Sequence, residues 1–297
     1  MLFYGYLSAL IATIIWSGNF IVARDLIDTV PPVTLAFWRW TIATVILFPF
    51  AIKPLLADWQ VIKEYRLYIA ITSLLGVSLF NTLIYIASYT TSVMNLSLIA
   101  ISFPIFIIIL SRIFYSEAIT INKYVGVLLV AVGIITLVTK GNLTILKNID
   151  LVVGDLWMLL GAITFAIYSL LVKKKPQQLS SRSFQLITFV IGLLFLAPFY
   201  LWEANNSDFK IHSITSNTFY AIFYIGLFAS LVSYFLWGKA VATIGPTRSS
   251  MLYCTLPIFS GISAYIFLGE GLENIHMISM LLILVGVLTA LYDKQKL

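Results

Sequence analysis

Polar and aromatic side chains recur at helical spacing inside long apolar stretches, and their types define what the chain can bind. Trp16 and Asn19 share one face of a first stretch, Asn81 and Tyr85 stand four apart in a third, and Ser230, Tyr234 and Trp237 follow i, i+4, i+7 spacing in an eighth. Ser97, Tyr168, Ser250 and Tyr253 join them from neighbouring stretches. The residues read as substrate-binding are Trp16, Asn19, Asn81, Tyr85, Ser97, Tyr168, Tyr234, Trp237, Ser250 and Tyr253. Indole, phenol, amide and hydroxyl groups of this kind suit a neutral, zwitterionic or cationic small molecule with an apolar part. Asn81 carries the most weight, because an amide deep in an apolar helix needs a partner. The competing reading is packing or interfacial anchoring, since aromatics are 15% of the chain; Trp40, Trp59, Trp157 and Trp202 are read that way.

Other chemistries lack their residues. The histidines are His212, in a loop, and His276, near the end of a stretch, so a serine nucleophile inside the membrane has no histidine beside it. The acidic residues are scattered rather than clustered for a metal-dependent transferase. Cys254 is the single cysteine and lies in an apolar run, which excludes a disulfide and a Cys-based zinc site. No Gly-x4-Gly-Lys-Ser/Thr loop is present to bind ATP. No catalytic residue, metal site or cofactor is therefore expected, and the chain is not read as an enzyme. The net charge of +6 falls in short loops rather than along one face, so nucleic acid is not an expected partner.

The elements that position these residues follow from composition. With 61% hydrophobic residues, 10% charged residues and a mean hydropathy of +1.01, the 297 residues carry more apolar surface than a soluble domain can bury. The expected partner of that surface is a lipid bilayer. Loop signals divide the chain into ten expected helical spans at 2–23, 33–52, 67–89, 92–115, 121–139, 151–172, 184–202, 219–243, 247–268 and 275–291. No basic residue precedes the first span and no small-residue cleavage site follows it, so it is expected to be a retained helix rather than a leader.

The second half repeats the first. Pro104 and Pro257 lie 153 residues apart, and the same offset lays Ala87 on Ala240, Ser97 on Ser250, Glu117 on Glu270 and Gly133 on Gly286. Nearer the N-terminus the offset is 149, laying Gly5 on Gly154, Pro49 on Pro198, and Trp16 and Asn19 on Phe165 and Tyr168. Residues 1–146 and 147–297 are thus expected to be two five-span repeats of one membrane domain. Lysine and arginine gather on the side holding Lys53, Arg66, Arg112, the Lys173–Lys175 run and Arg248, whereas the other side holds Arg24, Lys140, Lys147 and Lys210. Both termini are accordingly expected in the cytoplasm. Five spans per half is an odd number, which predicts that the repeats enter the membrane in opposite senses.

Trp16-Ser17-Gly18-Asn19-Phe20, Phe37-Trp38-Arg39-Trp40 and the repeated Pro-x12-Glu ending the fourth and ninth spans resemble the EamA-type branch of the drug/metabolite transporter superfamily. The resemblance covers essentially the whole chain. It implies an all-α integral membrane fold of ten transmembrane helices in two inverted five-helix repeats, with a central cavity between them. It also implies transport of a small organic metabolite, of a class that varies widely among members, and allows a homodimer through the fifth and tenth helices.

Remaining positions carry two readings each. Pro104 and Pro257 remove backbone donors in mid-span and free carbonyls near Ala100 and Tyr253, giving either a hinge at the site or a static bend for packing. Glu117 and Glu270 are read as helix-end structural residues capping the next helix, with a role in transport as the alternative. Gly126, Gly133 and Gly286 are read as permitting close packing of the fifth and tenth helices. Arg39 is read as structural, snorkelling outward or holding carbonyls near a helix end, because similar motifs recur in relatives of varied substrate; the alternative is that it attracts a substrate carboxylate. No span has a clearly central Asp or Glu to carry a proton, so facilitated movement or exchange is expected.

The function expected is alternating-access transport across a bacterial inner membrane, with export of neutral or aromatic amino acids as the lead reading. Uptake or exchange of a cationic or nucleoside-like metabolite is the second, and a membrane sensor or scaffold without transport is the weakest.

Overall fold

The computed structural model of the chain describes residues 1–26, 29–91, 96, 99, 102–148, 152–207, 215–268 and 274–292, and among them there is no strand. The helices are α1 (Leu2–Leu26), α2 (Pro32–Ala57), α3 (Trp59–Glu64), α4 (Arg66–Ser73), α5 (Phe80–Thr90), α6 (Ser102–Tyr115), α7 (Ile121–Thr139), α8 (Val153–Lys173), α9 (Ser181–Asn206), α10 (Ser216–Tyr224), α11 (Ser233–Tyr253), α12 (Leu256–Leu268) and α13 (Asn274–Leu291). Two π-helical segments, Leu74–Leu79 and Ile225–Val232, join α4 to α5 and α10 to α11.

Among the described residues, seven stretches are by themselves long and apolar enough to cross a membrane: Pro32–Ala57, Arg66–Thr90, Ile121–Thr139, Val153–Lys173, Ser181–Asn206, Ser216–Tyr253 and Asn274–Leu291. The 38 residues of Ser216–Tyr253 would rise to about 57 Å as one helix, nearly twice the ~30 Å hydrocarbon core. Gly245 breaks them with φ 83° and ψ 161°, a left-handed conformation that glycine adopts without strain, and Pro246 follows as the start of the next turns. The break falls between the expected spans 219–243 and 247–268.

Outward faces remain apolar and exposed, with Val45, Phe48, Leu128, Leu194, Leu281 and Leu288 turned away from the core. The polar exceptions lie inside, which is the arrangement a lipid solvent imposes. Helix starts are closed by side chains: Thr120 accepts from the Lys123 N–H, Ser180 from Ser183, and Asp155 takes the Val152 N–H at the head of α8.

α2 and α9 run antiparallel, and each is capped by an acid from the end of the other. Glu203 in the last turn of α9 accepts from Val33 N (3.2 Å), Thr34 N (2.6 Å) and Thr34 Oγ1 (2.8 Å). Asp58, just after α2, accepts from Ser180 N at 2.9 Å. Hydrogen bonds from Ser183 and Ser180 hold the Asp58 carboxyl below its ordinary 3.8.

Glycines mark the closest helix contacts. A Cβ on Gly126 would stand 2.5 Å from Gly286 O and one on Gly286 would stand 2.8 Å from Gly126 O, so α7 and α13 touch backbone to backbone. A Cβ on Gly5 would meet Thr243 at 3.0 Å and one on Gly154 would meet Thr90 at 2.5 Å, joining α1 to α11 and α8 to α5. Gly5 and Gly154 match in the repeat, and so do Thr90 and Thr243.

Pro257 acts at a helix start, whereas the residues just before Ser102, with the Ala100 carbonyl that Pro104 frees, lie outside the described residues. Pro257 opens α12; the chain leaves the helix at Cys254 and Thr255, whose N–H groups bond three residues back to Met251 and Leu252. Instead of bending one helix in mid-span, Pro257 begins a second one. Glu117 also differs from its expected cap. It pairs with Lys123 Nζ in the first turn of α7 at 2.9 Å and accepts from Thr247 Oγ1 at 2.9 Å, while Thr120 does the capping. Glu270 lies outside the described residues.

Candidate functional site

α1, the helix from α4 through α5, α8 and α11 bring their polar and aromatic positions to one place. A cavity of about 30 Å³ is lined there by Trp16, Asn19, Phe80, Asn81, Ile84, Tyr85, Phe165 and Tyr253. That is room for about two waters, so the walls must separate to admit a metabolite.

Aromatic rings fill most of the space. Trp16 lies 5.7 Å from Phe165, 5.3 Å from Trp237 and 5.8 Å from Tyr253, and Phe80 stacks on Phe165 at 4.1 Å. The indole of Trp16 is fixed by donation to Ala229 O at 2.9 Å. Behind this layer Trp237 donates to Ser169 Oγ at 3.1 Å, Tyr168 stacks on Phe165 at 5.6 Å, and Tyr234 packs edge-on against Trp40 at 4.9 Å.

Arg39 organises the polar side of the site. Its side chain is 0% exposed. Nε donates to Ser230 Oγ at 2.7 Å, Nη1 to Asn81 Oδ1 at 2.9 Å and to Tyr85 Oη at 2.5 Å, and Nη2 to Ala229 O at 3.3 Å. The network continues from Asn81 Nδ2 to Tyr234 Oη at 3.1 Å, and from Tyr234 Oη to Gly76 O at 2.7 Å. Gly76 and Ala229 sit in the two π-helical segments, and the repeat lays one on the other. The network therefore joins the widened turn of each half.

Arg39 is a correction to its expected role: it neither snorkels outward nor holds a helix end, but lies two turns into α2 in the core. Its reach explains the difference, because the partner atoms come from the π-helical segment and α5, which sequence spacing does not place beside α2. Ser250 is a second correction. Its buried hydroxyl bonds Thr247 O in its own helix at 2.8 Å, and it does not line the cavity. Ser97 lies outside the described residues. Trp16, Asn19, Asn81, Tyr85 and Tyr253 are lining residues, while Tyr168, Tyr234 and Trp237 are buried one layer back.

Phe80 and Ile84 line the cavity without having been singled out; they share a helical face with Asn81 and Tyr85, a signal that weighting polar types alone passes over. Two positions that match in the repeat touch each other directly: Trp16 meets Phe165, and Asn81 bonds Tyr234. Among the described residues no three His, Cys, Asp or Glu side chains gather to hold a metal.

Long helices with apolar outer faces and a polar, aromatic centre define a multi-pass membrane protein. The family model of the EamA-like transporter family matches residues 3–139 and 152–292, and the chain belongs to that family. It is similar to the uncharacterized transporter YyaM of Bacillus subtilis (strain 168), at 23% identity over 96% of this chain and 92% of the relative. An uncharacterized transporter of Archaeoglobus fulgidus is 24% identical over 92% of each chain. The WAT1-related protein At3g02690, chloroplastic, of Arabidopsis thaliana is 23% identical over 92% of this chain and 66% of its own. A solved crystal structure shares the fold, with a TM-score of 0.73 over 97% of this chain and 96% of its own at 16% identity.

Proposed function

We propose that this membrane transporter moves a small organic metabolite by alternating access, as ten spans in two inverted five-helix repeats with both termini in the cytoplasm of a bacterial cell. The observation that carries the reading is the cavity's place: aromatic and amide walls meet where matched positions of the two halves, Trp16 with Phe165 and Asn81 with Tyr234, touch. Equivalent contacts on either side, Gly5 with Thr243 and Gly154 with Thr90, support two mirrored arrangements of similar energy. The described carboxylates Asp58, Glu64, Glu117, Asp155 and Glu203 sit at helix ends, which favours exchange or facilitated movement over proton coupling.

The lead substrates are amino acids with neutral or aromatic side chains, exported from the cell, because aromatic walls surround a few polar groups. The face of Trp16 supports a second reading, a cationic or nucleoside-like metabolite. We extend the proposal to a homodimer formed by the exposed outer faces of α7 and α13, since their glycines are already used within the chain. Counterflow in liposomes tests the substrate reading, with the purified protein loaded in turn with amino acids, quaternary amines and nucleosides. Accumulation of a labelled neutral or aromatic amino acid is the expected result. A signal confined to amines or nucleosides selects the second reading, and silence for all three sets refutes both.

A further inference from the structure

Among the described residues, the Arg39 guanidinium is a buried cation with no anion beside it. Its four hydrogen-bond acceptors are a serine hydroxyl, an amide oxygen, a tyrosine hydroxyl and a backbone carbonyl, all neutral. Among the described residues no carboxylate lies within salt-bridge distance of it. A charge fully removed from water is poorly compensated by neutral dipoles alone, and an anion brought beside it recovers part of the lost solvation.

Two of those acceptors, Asn81 and Tyr85, are also walls of the cavity. Tyr85 Oη accepts from Arg39 and keeps its own hydrogen to donate, and that hydrogen has no acceptor among the described residues. Asn81 donates one Nδ2–H to Tyr234 and has a second. The positive charge is thus presented to the cavity through polarised donors. One lining residue carries an atom of opposite character. Asn19 is 8% exposed, lines the cavity, and its buried Oδ1 has no hydrogen-bond partner. An orphaned buried acceptor on a lining residue is satisfied by a donor that reaches it when the walls separate.

Resting on the transport reading above, we propose that the site selects a carboxylate. The Arg39-backed donors Tyr85 and Asn81 receive it, Asn19 Oδ1 receives a donor such as an ammonium group on the same molecule, and the rings of Trp16, Phe80 and Phe165 hold the apolar remainder. The transported class is then a zwitterion or organic monoanion, and a simple cation is disfavoured by the guanidinium.

An analogue series on the unmodified protein tests this without risk of misfolding. In liposomes loaded with L-phenylalanine, counterflow of labelled phenylalanine is competed by external 3-phenylpropanoate, 3-phenylpropanamide, phenylalaninamide and phenethylamine. Charge-assisted hydrogen bonds predict that 3-phenylpropanoate competes about tenfold to a hundredfold more strongly than the two amides and the amine. Amides or amine competing as well as the acid overturn the carboxylate site while leaving transport intact. Counterflow confined to amines or nucleosides overturns the carboxylate site, and silence for amino acids, amines and nucleosides alike refutes the transport reading, with which the proposal falls.

Two variants place the effect. Arg39→Gln is expected to level the preference for acid over amide. Asn19→Leu is expected to weaken phenylalanine about tenfold or more while sparing 3-phenylpropanoate, which has no ammonium group. Equal loss of both compounds in Asn19→Leu would show that Oδ1 plays no part in selection.

Discussion

Replacing Glu203 by glutamine removes a charge and one of two acceptor oxygens from the head of α2 while keeping the side chain's shape. Three bonds converge on that carboxylate, from Val33 N, Thr34 N and Thr34 Oγ1. An amide presents an NH2 group to one of these donors, so at least one of them loses its acceptor. Loss of a helix cap costs about 1 kcal/mol and loss of a negative charge at a helix N-terminus about 0.3–1 kcal/mol, giving about 1–2 kcal/mol together. The apparent Tm of the purified protein in detergent should fall by about 2–6 °C on that basis. Thr34→Val removes the hydroxyl bond alone and should cost less. Because both changes act on one carboxylate, the double variant should be less destabilised than the sum of the singles. The same contact ties the C-terminal end of α9 to the start of α2, so under the alternating access proposed above, releasing it should also shift the balance between open and closed forms of that end, by about five- to thirtyfold. Unchanged Tm with additive singles would refute the idea that Glu203 holds these helices together.

Gly126→Ala should lower stability by about 1–3 kcal/mol, because its nearest neighbours are the Ala290 Cβ and backbone atoms of α13, which cannot yield, whereas Gly238→Ala, with nothing nearer than 3.8 Å, should be neutral or slightly stabilising; thermal unfolding of the pair is the measurement. Trp237→Ala should reduce membrane abundance as well as flux, since it empties a fully buried indole site at a cost of about 3–5 kcal/mol; immunoblots of membrane fractions separate the two effects. Tyr85→Phe keeps the ring but takes an acceptor from Arg39 Nη1 and a donor from the cavity, so counterflow should fall with abundance near normal. Asp58 has a lowered carboxyl, so its stabilising contact is fully present above 3.8 and fades as pH falls through the still lower folded value; the Tm difference between the protein and Asp58→Asn should be constant above about pH 4 and shrink below it.

The apolar helices were legible because apolar runs of bilayer length and their punctuation are local properties of sequence. The close approach of α7 and α13 was legible for a similar reason, since Gly126, Gly133 and Gly286 have one common use in apolar helices. Trp16, Asn19, Asn81 and Tyr85, which line the cavity, were legible from the helical spacing of amides and aromatics. What spacing cannot give is which helix faces which. Arg39 meets Ser230 across 191 residues and Asn81 across 42, and Glu203 reaches Thr34 across 169. The same ignorance misplaced Ser250, whose hydroxyl is spent within its own turn. The π-helical segments had no local signal, because an extra residue in a turn is set by the bonds its carbonyl finds elsewhere.

Gly76 O and Ala229 O behave as sockets into which side chains from other helices plug: Tyr234 into the first, Trp16 and Arg39 into the second. A plug can be withdrawn without unwinding the helix that carries the socket, since rotation about side-chain bonds is enough. In hydrocarbon, where an unpaired backbone group costs several kcal/mol, movement of whole helices must avoid stripping their ladders. Under the alternating access proposed above, detachable side-chain connectors at matched places in the two halves would let one bundle of helices slip past the other with its own backbone bonding left whole.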